Sequence, residues 1–123
     1  DGDLDLIVGN GEERLSDGSL AERSGEGSNP FYSVGVGSYF APAVADWDKD
    51  GDLDLIIGNK DGQVKYFERL SDGSLAERSG EGSNPFYSVG VGYLAAPAVA
   101  DWDKDGDLDL IIGNKDGQVK YFE

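Results

Sequence analysis

A chain of 123 residues, 38% hydrophobic and 28% charged, is long enough for one folded core and too apolar for a disordered segment. It contains neither cysteine nor histidine, which excludes a disulfide framework, a thiolate metal site and imidazole-based catalysis. The formal net charge of −15, from 25 acidic against 10 basic residues, excludes nucleic acid and anionic membranes as partners, because phosphate binding needs Lys and Arg to displace counterions.

Along the chain, Asp1-Gly2-Asp3-Leu4-Asp5-Leu6-Ile7-Val8-Gly9-Asn10 matches residues 50–59 at all but one position. The chain then passes to Gly11-Glu12-Glu13-Arg14-Leu15, skipping six residues that the later copies contain. Residues 1–13 are therefore read as a truncated repeat remnant that lacks one hairpin arm. From there the repeat is regular. Residues 13–67 and 68–122 differ only where Ser38-Tyr39-Phe40 becomes Tyr93-Leu94-Ala95, an offset of 55. Copies this close point to a recent amplification or an engineered repeat.

Residues 14–40 read as an outer strand, Ser19-Leu20-Ala21-Glu22-Arg23, and a crossover into the first full unit at 41–79; residues 80–123 hold a second crossover and an incomplete second unit, within a single domain. In the full unit, residues 41–47 are short, apolar and small. Pro42 lacks an N–H to donate, so this is an edge strand. Residues 53–58 are almost continuously apolar and β-branched, the pattern of a strand buried on both faces.

Asn59-Lys60-Asp61-Gly62 turns the chain into a third strand at 63–69, and Ser71-Asp72-Gly73 into a polar fourth at 74–78. An all-β architecture of four-stranded antiparallel meanders, grading from small and apolar to polar, fits β-propeller blades with the first strand at the central channel. Residues 79–94 cross back, with Phe86 of Asn84-Pro85-Phe86 packed between blades. No window carries helical periodicity, and no apolar run approaches the roughly 18–20 residues of a membrane helix, so no membrane insertion is expected.

Between the first and second strands runs Asp46-Trp47-Asp48-Lys49-Asp50-Gly51-Asp52-Leu53-Asp54, and it recurs with Asp101, Asp103, Asp105, Asp107 and Asp109. Carboxylates occupy positions 1, 3, 5, 7 and 9, with glycine at 6. Ca²⁺ takes about 6–8 oxygen ligands, and alternate residues of a short loop can aim their oxygens at one ion while glycine allows the reversal. Unpaired, such carboxylates repel one another; a divalent cation removes the repulsion. An EF-hand would need glutamate at position 12, which here is Ile57. Mg²⁺ prefers more water and fewer protein ligands, so Ca²⁺ is the expected cofactor. The N-terminal copy begins at position 5 of the loop and lacks the first two acids.

Ala41-Pro42-Ala43 followed by Asp46-x-Asp48-x-Asp50-Gly51-x-x-Asp54 resembles the FG-GAP/VCBS repeat, which builds the blades of integrin-α-like propellers and related propeller lectins. The resemblance implies a propeller, commonly seven-bladed, with Ca²⁺ in this loop and a recognition role outside the cell or on its surface. Carried over residue by residue, it implies side-chain ligation by Asp46, Asp48, Asp50 and Asp54 with the carbonyl of Asp52. The second set is Asp101, Asp103, Asp105 and Asp109 with the carbonyl of Asp107.

About two blades cannot close a ring, and unclosed sheets leave raw edges. The sequence therefore predicts a ring completed by oligomerisation: a cyclic homo-oligomer, three chains favoured over four, in which the 19–23 strand of one chain completes the last sheet of its neighbour. The expected function is a binding or scaffold module with structural Ca²⁺ and no catalysis, since the clustered acids are accounted for by the loops. The alternative is a carbohydrate-binding lectin, for which Trp47, Trp102, Tyr39 and Tyr93 are the candidate contacts, with a glycan or a protein as ligand; packing between blades is the competing role for each ring.

Overall fold

In the computed structural model, which describes residues 12–14, 20–22, 25–34 and 39–123, regular structure consists of antiparallel strands joined by tight turns. The first full repeat forms a four-stranded sheet in sequence order: β3 (Ala41–Ala45), β4 (Asp54–Gly58), β5 (Val64–Arg69) and β6 (Leu75–Arg78). Preceding it, β1 (Glu12–Arg14) and β2 (Leu20–Glu22) form a two-stranded sheet. The second repeat gives a three-stranded sheet of β7 (Ala96–Ala100), β8 (Asp109–Gly113) and β9 (Val119–Phe122). The chain divides into two compact units, Asp1–Gly35 and Val36–Glu123.

The expected meander is present, and its register is the same in both copies. Ala41 faces Gly58 and Ala45 faces Asp54; Ala96 faces Gly113 and Ala100 faces Asp109. Pro42 and Pro97 lie on edge strands, where a missing N–H leaves no inner ladder bond unmade. β4 is buried along its whole length, as its two apolar faces require. The short β1–β2 pair also keeps the repeat's register, since Glu13 faces Ala21 as Glu68 faces Ala76. Residues 1–10, with the partial acidic loop, lie outside the described residues.

The turns are fixed by side chains. Asn59 Oδ1 accepts from the N–H groups of Asp61 and Gln63, both at 3.0 Å, closing the β4–β5 turn. Asp72 Oδ1 accepts from the Ser74 N–H and hydroxyl at 2.9 and 2.6 Å, closing the β5–β6 turn. These two bonds hold the Asp72 carboxyl below its usual range.

The core lies between the two successive sheets. Ile56, Val64 and Tyr66 from the first meet Leu110 and Ile112 from the second, with Phe86, Val91 and Ala95 of the connecting segment sealed between them. Full burial of an aliphatic or aromatic side chain contributes about 1.5–3 kcal/mol, so this layer is the main tie between blades. Strand β7 runs beside β3 and reaches β4, so the edge strands of consecutive repeats are neighbours.

Phe86 does what its motif predicts: it is 2% exposed, and its ring centroid lies 4.6 Å from Trp47 and 6.0 Å from Tyr66. The segment around it is stitched to the first sheet. Asn84 Nδ2 donates to the Val64 carbonyl at 3.0 Å, and the N–H groups of Leu94 and Ala95 donate to Lys60 and Asn59 at 2.9 and 3.0 Å. The approach is close enough to require glycine, since a Cβ on Gly58 would lie 2.1 Å from the Ala95 carbonyl oxygen.

Candidate metal centre

The acidic loops join β3 to β4 and β7 to β8, on the outgoing side of each edge strand. Lys49 (φ 62°) and Gly51 (φ 95°) both take the left-handed conformation, and Lys104 and Gly106 repeat it at 61° and 95°. Two left-handed residues flanking one carboxylate coil the loop on itself, and the glycine makes the second of them inexpensive.

That coil brings acids of each loop together. The carboxylates of Asp46, Asp48 and Asp50 offer oxygen atoms all within 4.8 Å of one another, and Asp101, Asp103 and Asp109 do so in the second copy. Backbone N–H groups hold the loop: Asp46 accepts from Asp50 and Gly51 at 3.0 and 2.9 Å, and Asp50 accepts from Asp52 at 2.9 Å. Asp101 accepts from Asp105 and Gly106 at 3.1 and 3.0 Å, so the two loops share one internal scaffold.

Asp54 differs from its neighbours. It is buried, its Oδ2 accepts from the Trp47 N–H at 3.1 Å and from the Tyr66 hydroxyl at 3.0 Å, and its Oδ1 accepts from the Arg69 N–H at 3.0 Å. This carboxylate ties the loop to β5 as well as lying at position 9. Asp109 accepts from the Trp102 N–H at 2.9 Å and groups with Asp101 and Asp103. The paired tyrosines respond: burial and the bond to Asp54 push the Tyr66 hydroxyl well up, and partial withdrawal from water with the bond to Asp109 pushes Tyr121 up to about 12.

Crowding shows in the acids themselves. Partial withdrawal from water, then the charges of Asp54 and Asp50, push the Asp48 carboxyl up to about 6. The Asp103 carboxyl is also raised, first by its hydrogen bond with Glu123. All donors in the clusters are hard carboxylate oxygens, and their mutual repulsion is of the kind a divalent cation relieves, so the residues fit Ca²⁺.

Two participants were not anticipated from sequence. Glu123 groups with Asp103 and Asp105, whereas the same repeat position, Glu68, is engaged by Arg78 at 3.2 Å. No local motif in the sequence marks position 123 as part of the cluster. The second is a link between loops: the Lys49 ammonium bonds the Asp107 carboxylate, which raises the Lys49 pKa. Both groups are solvent-exposed, so the pair is a weak tie. Among the described residues, Asp52 and Asp107 stay outside the carboxylate groupings.

The four aromatic candidates separate. Trp47 is half-buried against Phe86, in the packing role, while Trp102 is 69% exposed. Tyr39 and Tyr93 are exposed, and the Lys60 ammonium lies 5.9 Å from the Tyr39 ring centroid. Among the described residues no ring pairing joins Trp102, Tyr39 or Tyr93.

A family model described as the FG-GAP-like repeat matches residues 1–57 and again residues 46–112. No curated protein and no solved structure matches the chain. Among the described residues, no helix is long and apolar enough to cross a membrane.

Proposed function

Because the chain belongs to the FG-GAP-like repeat family, we propose that it is a Ca²⁺-binding β-propeller module that works by binding or scaffolding, with Ca²⁺ as a structural clamp rather than a reagent. One observation carries this reading: a carboxylate cluster forms in the same loop of both repeats, between the edge strand and the buried strand of consecutive sheets, from Asp46, Asp48 and Asp50 in the first and from Asp101, Asp103 and Asp109 in the second. In the first loop Asp46, Asp48 and Asp50 would hold the ion, with Asp54 and the Asp52 carbonyl completing the set. In the second, Asp101, Asp103, Asp105 and Asp109 would do so with the Asp107 carbonyl.

Bound Ca²⁺ supplies positive charge to a loop that otherwise repels itself. The chain's own part is mechanical. Asp54 carries the loop's position to Tyr66 and Arg69 of β5, and Tyr66 lies against Phe86 between the sheets. Ordering the loop therefore also steadies the interblade layer. The acids serve this clamp and no nucleophile–base pair is called on, so the role is one of binding without catalysis. Loops of this type suit Ca²⁺-rich surroundings, which supports a location outside the cell or on its surface for a natural chain.

The test is thermal unfolding with Ca²⁺ and with EDTA. A ligand held by the folded state alone stabilises it by about 2.7 kcal/mol at a hundredfold excess over Kd. For a unit of this size each kcal/mol moves Tm by about 4–8 °C, so chelation lowers Tm by about 10 °C or more. Equal melting with and without EDTA overturns the clamp.

A further inference from the structure

The two copies have the same sequence on their outer faces and opposite surroundings. In the first sheet Val64 is 3% exposed and Tyr66 is buried with it, under Phe86. Their counterparts in the second sheet, Val119 at 73% and Tyr121 at 45%, are open, as is Trp102 where Trp47 is half-buried. What covers the first face is the 80–95 segment. Among the described residues of the same unit, nothing lies over the second.

The chain contains that covering segment twice. Residues 25–37 and 80–92 are identical, and where both are described they adopt the same fold. The Asn29 and Asn84 N–H groups each donate to the carbonyl four residues earlier at 3.0 Å, Tyr32 and Tyr87 donate to Asn29 and Asn84 at 3.1 Å, and Val34 and Val89 donate to Phe31 and Phe86 at 3.0 Å. Asn29 Oδ1 accepts from the Phe31 N–H at 2.9 Å, and Asn84 Oδ1 accepts from Phe86 likewise. Gly25 and Gly80 share φ of 96°. The first copy is thus already shaped as the element that fills the interblade layer.

We infer that the open face of β8 and β9 is a docking site for residues 25–34 of a second copy of this chain, with Phe31 of that copy seated against Trp102 and Tyr121. The receiving surface repeats the first one part by part. The acceptor that Val64 gives to Asn84 recurs at Val119 and would take Asn29 of the arriving copy. Gly58 admits the close passage of the segment, and its counterpart Gly113 is open, a built Cβ there meeting only the Gln118 carbonyl at 4.0 Å. The segments part only at the following triplet, Ser38-Tyr39-Phe40 against Tyr93-Leu94-Ala95, so the docking element is the identical stretch before it.

This contact joins two different surfaces, one from each end of the repeat, and such head-to-tail contacts generate rings where the rotation closes and open filaments where it does not. No loop acid touches the arriving segment, although Trp102, which receives it, is held by Asp109. The contact also differs from strand exchange alone: β2, the strand expected to complete the last sheet, is already paired with β1, whereas docking of residues 25–34 needs no strand to be released.

Two variants and their mixture test it, by light scattering and sedimentation of the full chain in Ca²⁺. Phe31→Asp spoils the arriving segment and leaves the face intact; Val119→Asp spoils the face and leaves the segment intact. Circular dichroism and melting confirm that each remains folded, which the exposure of Val119 favours. The parent chain is expected at about three chain masses, closing six blades, with Trp102 emission shifted to the blue as its ring is covered. Each variant alone is expected as a monomer, and an equimolar mixture as a one-to-one dimer, because only one sound contact can form between them. A monomeric parent at about 100 μM, variants that keep the parent mass, or a mixture that stays monomeric would each overturn the inference.

Discussion

Replacing Asp54 by asparagine separates the structural role of this carboxylate from any role at the metal. The side chain is 1% exposed and receives three hydrogen bonds, from Trp47, Tyr66 and Arg69. Asparagine keeps one acceptor oxygen, and its amide places donors opposite donors on the other side, so at least one buried N–H or O–H loses its partner. A hydrogen bond to a charged group contributes about 1.5–3 kcal/mol, and an orphaned buried donor costs about 1–3 kcal/mol. Relief from holding a buried charge offsets part of this. The net loss is about 2–4 kcal/mol, or a fall in Tm of about 10–20 °C for a unit of this size. Thermal melts followed by circular dichroism should be run in EDTA, where no Ca²⁺ can contribute. In that condition Asp48→Asn, which removes an exposed acid, should melt at or slightly above the parent. If Asp54→Asn in EDTA melted within about 2 °C of the parent, the claim that Asp54 ties the loop to β5 would be wrong, and position 9 would be a ligand only.

Two further outcomes follow from the same geometry. Gly58→Ala should cost about 1–3 kcal/mol in urea denaturation, because its Cβ falls 2.1 Å from the backbone oxygen of Ala95, while Gly113→Ala, tested in a Val119→Asp background where no second copy docks, should lie within about 0.5 kcal/mol of its parent. Equal costs at the two positions would refute the account of the interblade approach. Acidification should act in opposite senses with and without metal. The Asp48 pKa is raised from 3.8 to about 6 in the fold, so between those values the folded state holds more protons than the unfolded one. Lowering the pH through 6 therefore relieves the metal-free loop, whereas protons compete with Ca²⁺ for the same oxygens. Titration calorimetry should show Ca²⁺ affinity falling between pH 7 and pH 5, while Tm in EDTA gains from this group over the same interval; an affinity that is flat across that range would contradict the assignment.

The strands and the acidic loops were legible because each is written locally. Continuous β-branched residues at 54–58, a proline that can only sit at an edge, and alternate acids around a glycine all state their structure within a few positions. The role of Phe86 was legible too, since an anchored aromatic in a long crossover has one place to go. What the sequence could not give is which copy of a residue is covered. Val64 and Val119, Tyr66 and Tyr121, Trp47 and Trp102 occupy identical local sequence, and within each pair one is covered and the other open. Local sequence is the same for both members, so it carries no information about the difference; the difference comes from whether another repeat's crossover lies against the sheet. In a repeat fold the stability of a unit is its own plus that of its contact with the next. The exposure of Val119, Tyr121 and Trp102 is therefore set by what lies beside the sheet and not by these residues themselves. By the same argument the exposure of Trp102 is not by itself a sign of a ligand site, and assigning the ring to a small-molecule ligand would require it to stay exposed once a second crossover lies against the sheet.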